Sequence, residues 1–201
     1  MILLACDSKD NRIIDLKNTL IIAGMPCAIV GCDSIPEYPM ALAVFTFTKS
    51  ENYLNTVSLR CKRTPLIAVN ESGSRIYNND VLFCESGDTQ FCAEYMLNFI
   101  KAKYGITAGE YLIDDVSVRS LEAVSGVSRV SLTPVEYRIL SLLVICKGKC
   151  LSESIIGKVC FEDHSKSCRV PVHICNLNKK CKTVFGYKLI TAKRGLGYSV
   201  N

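Results

Sequence analysis

The sequence lacks several features that would place it in other classes of protein. No apolar run approaches the ~20 residues that a membrane-spanning helix needs, so no membrane segment is predicted. Residues 1–5 are apolar but too few for a secretory signal, and no basic residue precedes them, which predicts a cytoplasmic protein. Histidine is scarce: only His164 and His173 occur, both in the second half of the chain. Because no plausible nucleophile–base pair is present, we predict no catalytic residue and no enzyme.

Cysteine is abundant, but the spacings of metal and redox motifs are missing. None of the twelve cysteines forms a CxxC pair, and no cluster has the spacing of a zinc site. Most lie in apolar runs, where a thiol packs as a small hydrophobic side chain. Packing is therefore the favoured interpretation, and redox sensing or metal binding are the alternatives. No metal and no cofactor is predicted.

The charge is distributed unevenly along the chain. The formal net charge is +5, but residues 1–106 carry ten basic and eleven acidic residues. Residues 107–201 carry fourteen basic and eight acidic residues, and none of those acids lies in residues 164–201. A neutral half followed by a basic half predicts that only the second half meets a polyanion such as nucleic acid.

The first half alternates short apolar segments with amphipathic ones. Five apolar segments predict strands at residues 2–6, 27–32, 41–47, 66–69 and 81–84. Helical spacing of apolar residues predicts helices at residues 7–23, 51–61 and 88–103. This alternation is typical of an α/β domain with a parallel sheet covered on both faces, which we assign to residues 1–104.

The second half has a different pattern, which predicts a winged helix. Alternating, acid-bearing segments predict an antiparallel meander at residues 111–118, 121–124 and 127–132. Thr133, Pro134 and Glu136 then provide an N-cap, a proline at the first helical position and a capping box. A second helix from Ser152, a basic helix from near Cys168 and two terminal strands complete a predicted domain at residues 108–201.

The basic helix predicts contact with something anionic. Four polar residues recur at helical spacing on one face: Arg169, His173, Asn176 and Lys180. Four apolar residues recur at the same spacing and are predicted to be buried: Val170, Ile174, Leu177 and Cys181. The alternative is a merely solvated charged face. Residues 193–198 (KRGLGY) then predict a basic hairpin that can follow a phosphate backbone, which favours DNA binding.

Three segments of this domain resemble the DNA-binding domain of OmpR/PhoB-type response regulators. They are residues 130–140 (VSLTPVEYRIL), 170–180 (VPVHICNLNKK) and 194–198 (RGLGY). The resemblance implies a recognition helix in the major groove and a wing in the adjacent minor groove of double-stranded DNA, with RNA polymerase as a further partner. It implies DNA contacts by Arg169, His173, Asn176, Asn178, Lys179, Lys180, Lys193, Arg194 and Tyr198.

The recognition helix departs from the family's pattern at three positions. Pro171 stands where the family usually has an acid, and Asn176 and Asn178 stand where it usually has arginine. Proline is tolerated only in the first turn, so the helix is predicted to begin at Cys168 or later. Asparagine keeps hydrogen-bonding capacity without the charge, so the family's usual DNA target does not carry over.

The first half resembles the family's receiver domain (flavodoxin-like) in strand order, but it lacks the receiver's chemistry. Cys6 replaces one of two acids that would hold Mg²⁺, and Asp7 is predicted to cap the first helix instead. Residues 40–50 contain no acid, and Phe45 or Thr46 falls where a phosphorylated Asp would stand. Short connections before the third and fifth strands also predict that two helices are shortened or lost. The first domain is thus interpreted as a degenerate receiver.

These observations predict an atypical OmpR/PhoB-type transcriptional regulator that acts without phosphorylation, as a constitutive homodimer. Residues 88–103 hold more large apolar side chains than one helical face can bury in its own domain. We therefore expect Tyr95, Leu97 and Tyr104 at the dimer interface. The alternative is a regulator whose first domain senses a redox signal or a small molecule.

Overall fold

Five apolar segments of the first half form a parallel sheet in the computed structural model. Its strands are β1 (Ile2–Ala5), β2 (Cys27–Val30), β3 (Ala43–Thr48), β4 (Leu66–Asn70) and β5 (Val81–Phe83). The spatial order β2-β1-β3-β4-β5 confirms the predicted receiver-like α/β fold. All six residues of the central strand β3 are buried, as expected where helices cover both faces of a sheet.

The structure describes most of the chain, in two units. The described residues are 1–6, 10–38, 40–61, 63–71, 81–161 and 169–200. The units are Met1–Ile106 and Thr107–Asn201. Among the described residues, none of the helices is both long and apolar enough to cross a bilayer.

Local sequence signals set the ends of the helices in the first unit. These helices are α1 (Asn11–Ile22), α2 (Glu51–Cys61) and α3 (Thr89–Tyr104). The side chain of Asp10 caps α1 by accepting from the amide of Arg12, whereas Asp7, the predicted cap, lies outside the described residues. Asp88 caps α3 in the same way. Its other end is closed by Gly105 at φ 67°, a conformation that glycine adopts without strain.

One of the two predicted helix reductions is visible. The segment between β2 and β3 forms only a short 3-10 helix, Cys32–Glu37, with Pro36 inside it. Proline removes a backbone donor and so prevents a longer regular helix there. The other predicted reduction falls on residues 72–80, outside the described residues.

The second unit opens with a four-stranded antiparallel meander rather than the three segments predicted. Its strands are β6 (Glu110–Ile113), β7 (Val116–Arg119), β8 (Glu122–Ser125) and β9 (Ser128–Ser131). The segment predicted at residues 111–118 is two strands, because the chain turns at Asp114, which has a φ of 50°. Asp is one of the few side chains that tolerate this left-handed conformation, and no glycine marks the turn in the sequence.

Three helices and a terminal hairpin complete a winged helix-turn-helix, as predicted. The helices are α4 (Pro134–Ile145), α5 (Glu153–Cys160) and α6 (Val170–Phe185), and the hairpin strands are β10 (Ile190–Lys193) and β11 (Gly197–Val200). The predicted capping box is present at the start of α4. The Thr133 hydroxyl accepts from the Glu136 amide, and the Glu136 carboxylate accepts from the Thr133 amide.

Candidate nucleic-acid interface

The recognition helix α6 begins where its proline permits. Pro171 falls in the first turn, where the missing N–H would have no helical acceptor. The helix ends at Gly186, whose φ of 86° lets its amide bond to the carbonyl of Lys182. Four apolar side chains are buried and pack the helix onto its unit: Val170, Ile174, Leu177 and Cys181.

The exposed face of α6 is rotated from the predicted one. An α-helix turns ~100° per residue, so the residues opposite the buried stripe are those near positions 172, 176 and 179. The structure exposes Val172, Cys175, Asn176, Lys179, Lys182 and Thr183. We call these six residues the outer face of α6. No residue of α6 carries a negative charge, so this face suits an anionic partner.

Lys180, which the sequence placed on the DNA-contacting face, bonds within the unit. Its Nζ lies 2.8 Å from Glu136 Oε2 and 3.3 Å from the carbonyl oxygen of Ser131. Burial raises the pKa of the Glu136 carboxyl, but hydrogen bonds from Lys180 and Thr133 outweigh it and hold that pKa below its usual range. Lys180 therefore ties α6 to the capped start of α4.

Asn178 also bonds within the unit and fixes the wing. Its Nδ2 donates to the carbonyl of Ile190 at 2.8 Å, and its Oδ1 accepts from the Ile190 amide at 3.1 Å. The side chain thus satisfies both backbone groups of a residue at the start of β10. The DNA contacts predicted for Asn178 and Lys180 stay untested, but in this structure the two side chains hold the recognition helix and the wing in place.

His173 occupies a position at the edge of the outer face. It is half-buried, and its ring centroid lies 5.5 Å from that of Phe161 with the rings tilted by 58°. Arg169 occupies the N-cap position of the helix without a side-chain capping bond, and it is exposed. Of the residues predicted from the helical spacing, Arg169 and Asn176 are therefore the ones whose side chains are most open to a partner.

The wing is held against the segment that precedes α5. Leu151 and Tyr198 exchange two backbone hydrogen bonds, of 2.8 and 2.9 Å, and the Tyr198 hydroxyl donates to Glu153 Oε1 at 3.2 Å. At the tip of the hairpin, Lys193 and Arg194 are exposed. The wing thus presents two cations at its tip, while Tyr198 helps to bond the hairpin to the segment before α5.

Gly197 makes this anchoring possible. It has a φ of 122°, and a Cβ at this position would lie 2.0 Å from the carbonyl oxygen of Leu151. Only glycine allows the two backbones to approach so closely. Gly195, at φ 74°, has no atom within 4 Å of such a Cβ, so its requirement is conformational alone.

The residues predicted for the dimer interface lie on α3 and differ in exposure. Tyr95 and Leu97 are half-buried. Tyr104 is 38% exposed, and its hydroxyl donates to the carbonyl of Leu42 at 2.9 Å, which fixes the ring against its own unit. Phe91, on the first turn of the same helix, is 43% exposed. It is therefore an additional apolar side chain open to a partner.

A cleft of about 520 Å³ opens at the carboxyl ends of β1, β3 and β4, where a receiver domain would be phosphorylated. Phe47 and Thr48 line it, whereas Phe45 and Thr46, the predicted replacements for the phosphorylated Asp, are fully buried in the sheet. The residues of β3 that reach the cleft thus lie two positions beyond those predicted. None of the residues 43–50 has a carboxylate.

The guanidinium of Arg12 occupies this cleft. It donates to both carboxylate oxygens of Glu71 and, at 2.7 Å, to Asp10 Oδ2. It also lies 4.4 Å from the centroid of the Phe47 ring. Hydrogen bonds from Arg12 hold the pKa values of Asp10 and Glu71 below their usual range. Among the described residues lining the cleft, both carboxylates are thus committed to a cation that the protein supplies itself.

The thiols of the first unit are mostly buried. Cys6 lines the cleft, but its strand β1 is separated from β5 by two strands, so pairing with Cys84 is not supported. Cys84 instead lies beside Cys92, with 3.9 Å between their sulfur atoms. Burial, with a smaller effect of Cys84, raises the pKa of Cys92 to about 12. Within the described residues, no group of three or more side chains could hold a metal ion.

By its fold the second unit is a winged helix, and its sequence identifies the kind. Residues 127–200 match the family described as transcriptional regulatory protein, C terminal. The match runs from β9 through the three helices to the end of the wing, so it covers most of the second unit. A search of curated proteins gives no significant match.

Several solved structures are similar to the chain. The DNA-binding domain of CpxR from E. coli is 23% identical over 45% of this chain and 94% of that one, with a TM-score of 0.37. The response regulator DrrB of Thermotoga maritima, an OmpR/PhoB homolog, is 16% identical over 100% and 98%, with a TM-score of 0.44. A structure described as a novel family of redox sensors in the streptococci, evolved from two-component response regulators, is 12% identical over 100% and 98%, with a TM-score of 0.42.

The Lys180–Glu136 pair should stabilise the second unit at neutral pH. Lys180→Met keeps the alkyl chain but leaves a buried carboxylate without its cation, which should lower the free energy of unfolding by roughly 1–3 kcal/mol. Because the folded-state pKa of Glu136 is depressed, its contribution is present at neutral pH and is lost as the pH falls through that pKa. Urea unfolding at pH 7 and pH 4 should therefore show a smaller effect at pH 4.

Lys179→Met is the matched control, because Lys179 is exposed on the neighbouring position and has no bond to Glu136. It should leave the free energy of unfolding nearly unchanged at both pH values. Equal losses for the two variants would mean that the ion pair does not hold α6 in place.

Gly197→Ala should detach the wing, because the new methyl group would overlap the backbone of Leu151. The amides of Leu151 and Tyr198 should lose their protection from hydrogen exchange, and the unit should be destabilised by roughly 1–3 kcal/mol. Gly195→Ala introduces a similar backbone strain without that overlap and should leave the two amides protected. If both variants exchange alike, the contact with Leu151 is not what anchors the wing.

Proposed function

We propose that this chain is a sequence-specific, DNA-binding transcriptional regulator of the OmpR/PhoB type that acts as a constitutive homodimer without phosphorylation. The observation that carries the proposal is the acid-free outer face of α6, held beside a wing that presents Lys193 and Arg194. In a winged helix these are the two elements that face DNA. The recognition helix would enter the major groove and Arg194 the adjacent minor groove.

The residues of the interface divide into contacting and positioning groups. Arg169, Lys179 and Lys182 are exposed along α6 and are proposed to bind phosphates, together with Lys193 of the wing. Lys180 and Asn178 are proposed to act through the structure, because their polar atoms bond to Glu136 and Ile190. His173 and Tyr198, half-buried at the margins, are proposed to contact the phosphate backbone of the DNA.

Arg12 supports the proposal that phosphorylation is not required. A receiver needs carboxylates that are free to bind Mg²⁺ and an aspartate that accepts the phosphoryl group. Here β3 offers no aspartate, and Arg12 forms ion pairs with the carboxylates of Asp10 and Glu71. The cleft therefore already contains a positive charge next to its two acids, independent of any kinase.

The dimer is proposed to form around α3. A single winged helix reads few base pairs, so specific binding usually requires two copies on two half-sites. Phe91 and Tyr104 are exposed on α3, with Tyr95 and Leu97 half-buried on the same helix. Burial of these side chains between two copies would stabilise a dimer.

RNA polymerase stays a predicted partner on the basis of the resemblance alone.

A redox-sensing regulator is the second candidate, because Cys84 and Cys92 lie 3.9 Å apart at their sulfur atoms. Oxidation would join the sulfurs as each thiol gives up a proton and an electron, with a peroxide as the oxidant and water as its product. The raised pKa of Cys92 opposes this, since the protonated thiol is a poor nucleophile. The two candidates differ in whether DNA binding depends on the reductant.

DNA affinity should depend on the outer face and on the wing. Arg194→Ala and Lys179→Ala should each weaken binding to a duplex of random sequence, and each should reduce the slope of log affinity against log salt by about one if a phosphate contact is lost. Fluorescence anisotropy at several salt concentrations measures both quantities. Arg63→Ala, a change at an exposed cation of the first unit outside α3, should behave as the wild type. Wild-type binding by both wing and helix variants would contradict the proposed interface.

Phosphodonors should leave the protein unchanged. Incubated with acetyl phosphate and Mg²⁺, the chain should gain no acid-labile phosphoryl group by intact mass, because no residue of β3 can accept one. Light scattering at micromolar concentration should show a dimer before and after the treatment. A phosphorylated receiver protein serves as the positive control. A phosphoryl adduct, or a monomeric full chain, would refute this part of the proposal.

A further inference from the structure

The first two turns of α6 present side chains that are poor at binding phosphate but suited to reading bases. Val172 is 57% exposed, and Cys175 and Asn176 beside it are exposed as well. Leaving an apolar side chain in water costs free energy unless something covers it. The side-chain amide of Asn176 has no hydrogen-bond partner in the described part of the chain, in contrast to that of Asn178. These three residues are thus open to a partner.

From this arrangement we propose that α6 reads A·T base pairs in the major groove, an inference that rests on the proposed DNA-binding function. Adenine presents an acceptor and a donor at N7 and N6, which match the amide of Asn176 in a bidentate pair. Thymine presents a C5-methyl group, which is recognised by apolar contact, and Val172 and Cys175 offer that contact. The three residues together fit a short A·T-containing segment of each half-site.

The same residues cannot recognise guanine well. The two acceptors of guanine, O6 and N7, are bound by the donors of Arg or Lys, and no position of the first two turns on the outer face has either. Lys179 and Lys182 lie one and two turns further along the helix. In helix-turn-helix proteins the N-terminal residues of the recognition helix contact the base edges, so these lysines are assigned to phosphates.

The orientation of this face is fixed by the bonds described above. Lys180 joins one flank of α6 to Glu136, and Asn178 joins the other flank to β10. Rotation of the helix about its own axis would break one or both contacts. The side chains of Val172, Cys175 and Asn176 are therefore presented at a set angle to the wing, as readout of particular base pairs requires.

The test is selection of duplexes from a random library by the full-length protein, followed by affinity measurements on the selected site. The half-site is expected to contain an adenine whose replacement by guanine weakens binding about tenfold. Asn176→Ala should abolish that preference at one base pair, and Asn176→Arg should shift it towards guanine. Replacing the thymines by deoxyuridine removes only the methyl groups. It should weaken the wild type several-fold but have little effect on the double variant Val172→Ser, Cys175→Ser, which lacks both apolar contacts.

Lys179→Ala separates this inference from the proposed function. It should weaken binding to every sequence while leaving the base preference unchanged. If Lys179→Ala weakens binding but the selected site is G·C under the helix, or Asn176→Ala keeps the wild-type preference, the A·T readout is overturned and DNA binding stands. If no duplex is enriched by a folded protein, as judged by circular dichroism, both the readout and the proposed function are overturned.

Discussion

A single buried carboxylate, that of Glu136, determines how the recognition helix sits in its unit. Its residue is only 3% exposed, so the charge must be balanced from within the unit. One carboxylate oxygen, Oε2, accepts two hydrogen bonds of 2.8 Å. One comes from the Thr133 amide at the start of α4, and the other comes from the ammonium group of Lys180 on α6. The capping interaction that starts one helix is thereby also the bond that orients another. A change at this carboxylate would disturb both.

The first unit uses a comparable arrangement with the charges reversed. There a cation, Arg12, bridges Asp10 at the start of α1 and Glu71 after β4, and it stacks on Phe47. The side-chain hydrogen bonds that Arg12 donates to Glu71 and Asp10 raise its pKa, so the guanidinium is charged at neutral pH. The cation joins elements around a cleft where a receiver would bind Mg²⁺ and a phosphoryl group.

The sequence predicted the topology well because hydrophobic patterning encodes it, but it placed several side chains wrongly. The strands of the parallel sheet, the capping box at Thr133 and the wing were all evident from local patterns. The exposed face of α6 was not, because His173 and Lys180 share a helical spacing with Asn176 yet lie beside the buried stripe, whereas Asn176 lies on the outer face. Similarly, no glycine signals the turn at Asp114, and the cap of α1 is Asp10, whereas the sequence predicted Asp7. In each case the decisive factor was an angle or a tertiary contact, which residue type alone does not specify.

Two pairs of like residues on α6 differ in exposure because they point in different directions around the helix axis. Asn176 and Asn178 have the same amide, and Lys179 and Lys180 the same ammonium group, so chemical type cannot separate them. Successive residues of an α-helix are rotated by ~100°, so Lys179 lies opposite the buried stripe while Lys180 lies against α4. Asn176 and Asn178 are two residues apart, so Asn176 lies on the outer face while Asn178 faces the wing. Lys180 bonds to the buried carboxylate of Glu136, and Asn178 bonds to both backbone groups of Ile190. Lys179 and Asn176 have no such partner and stay exposed. The capacity of the helix to bind a partner thus follows from the bonds that hold it in place.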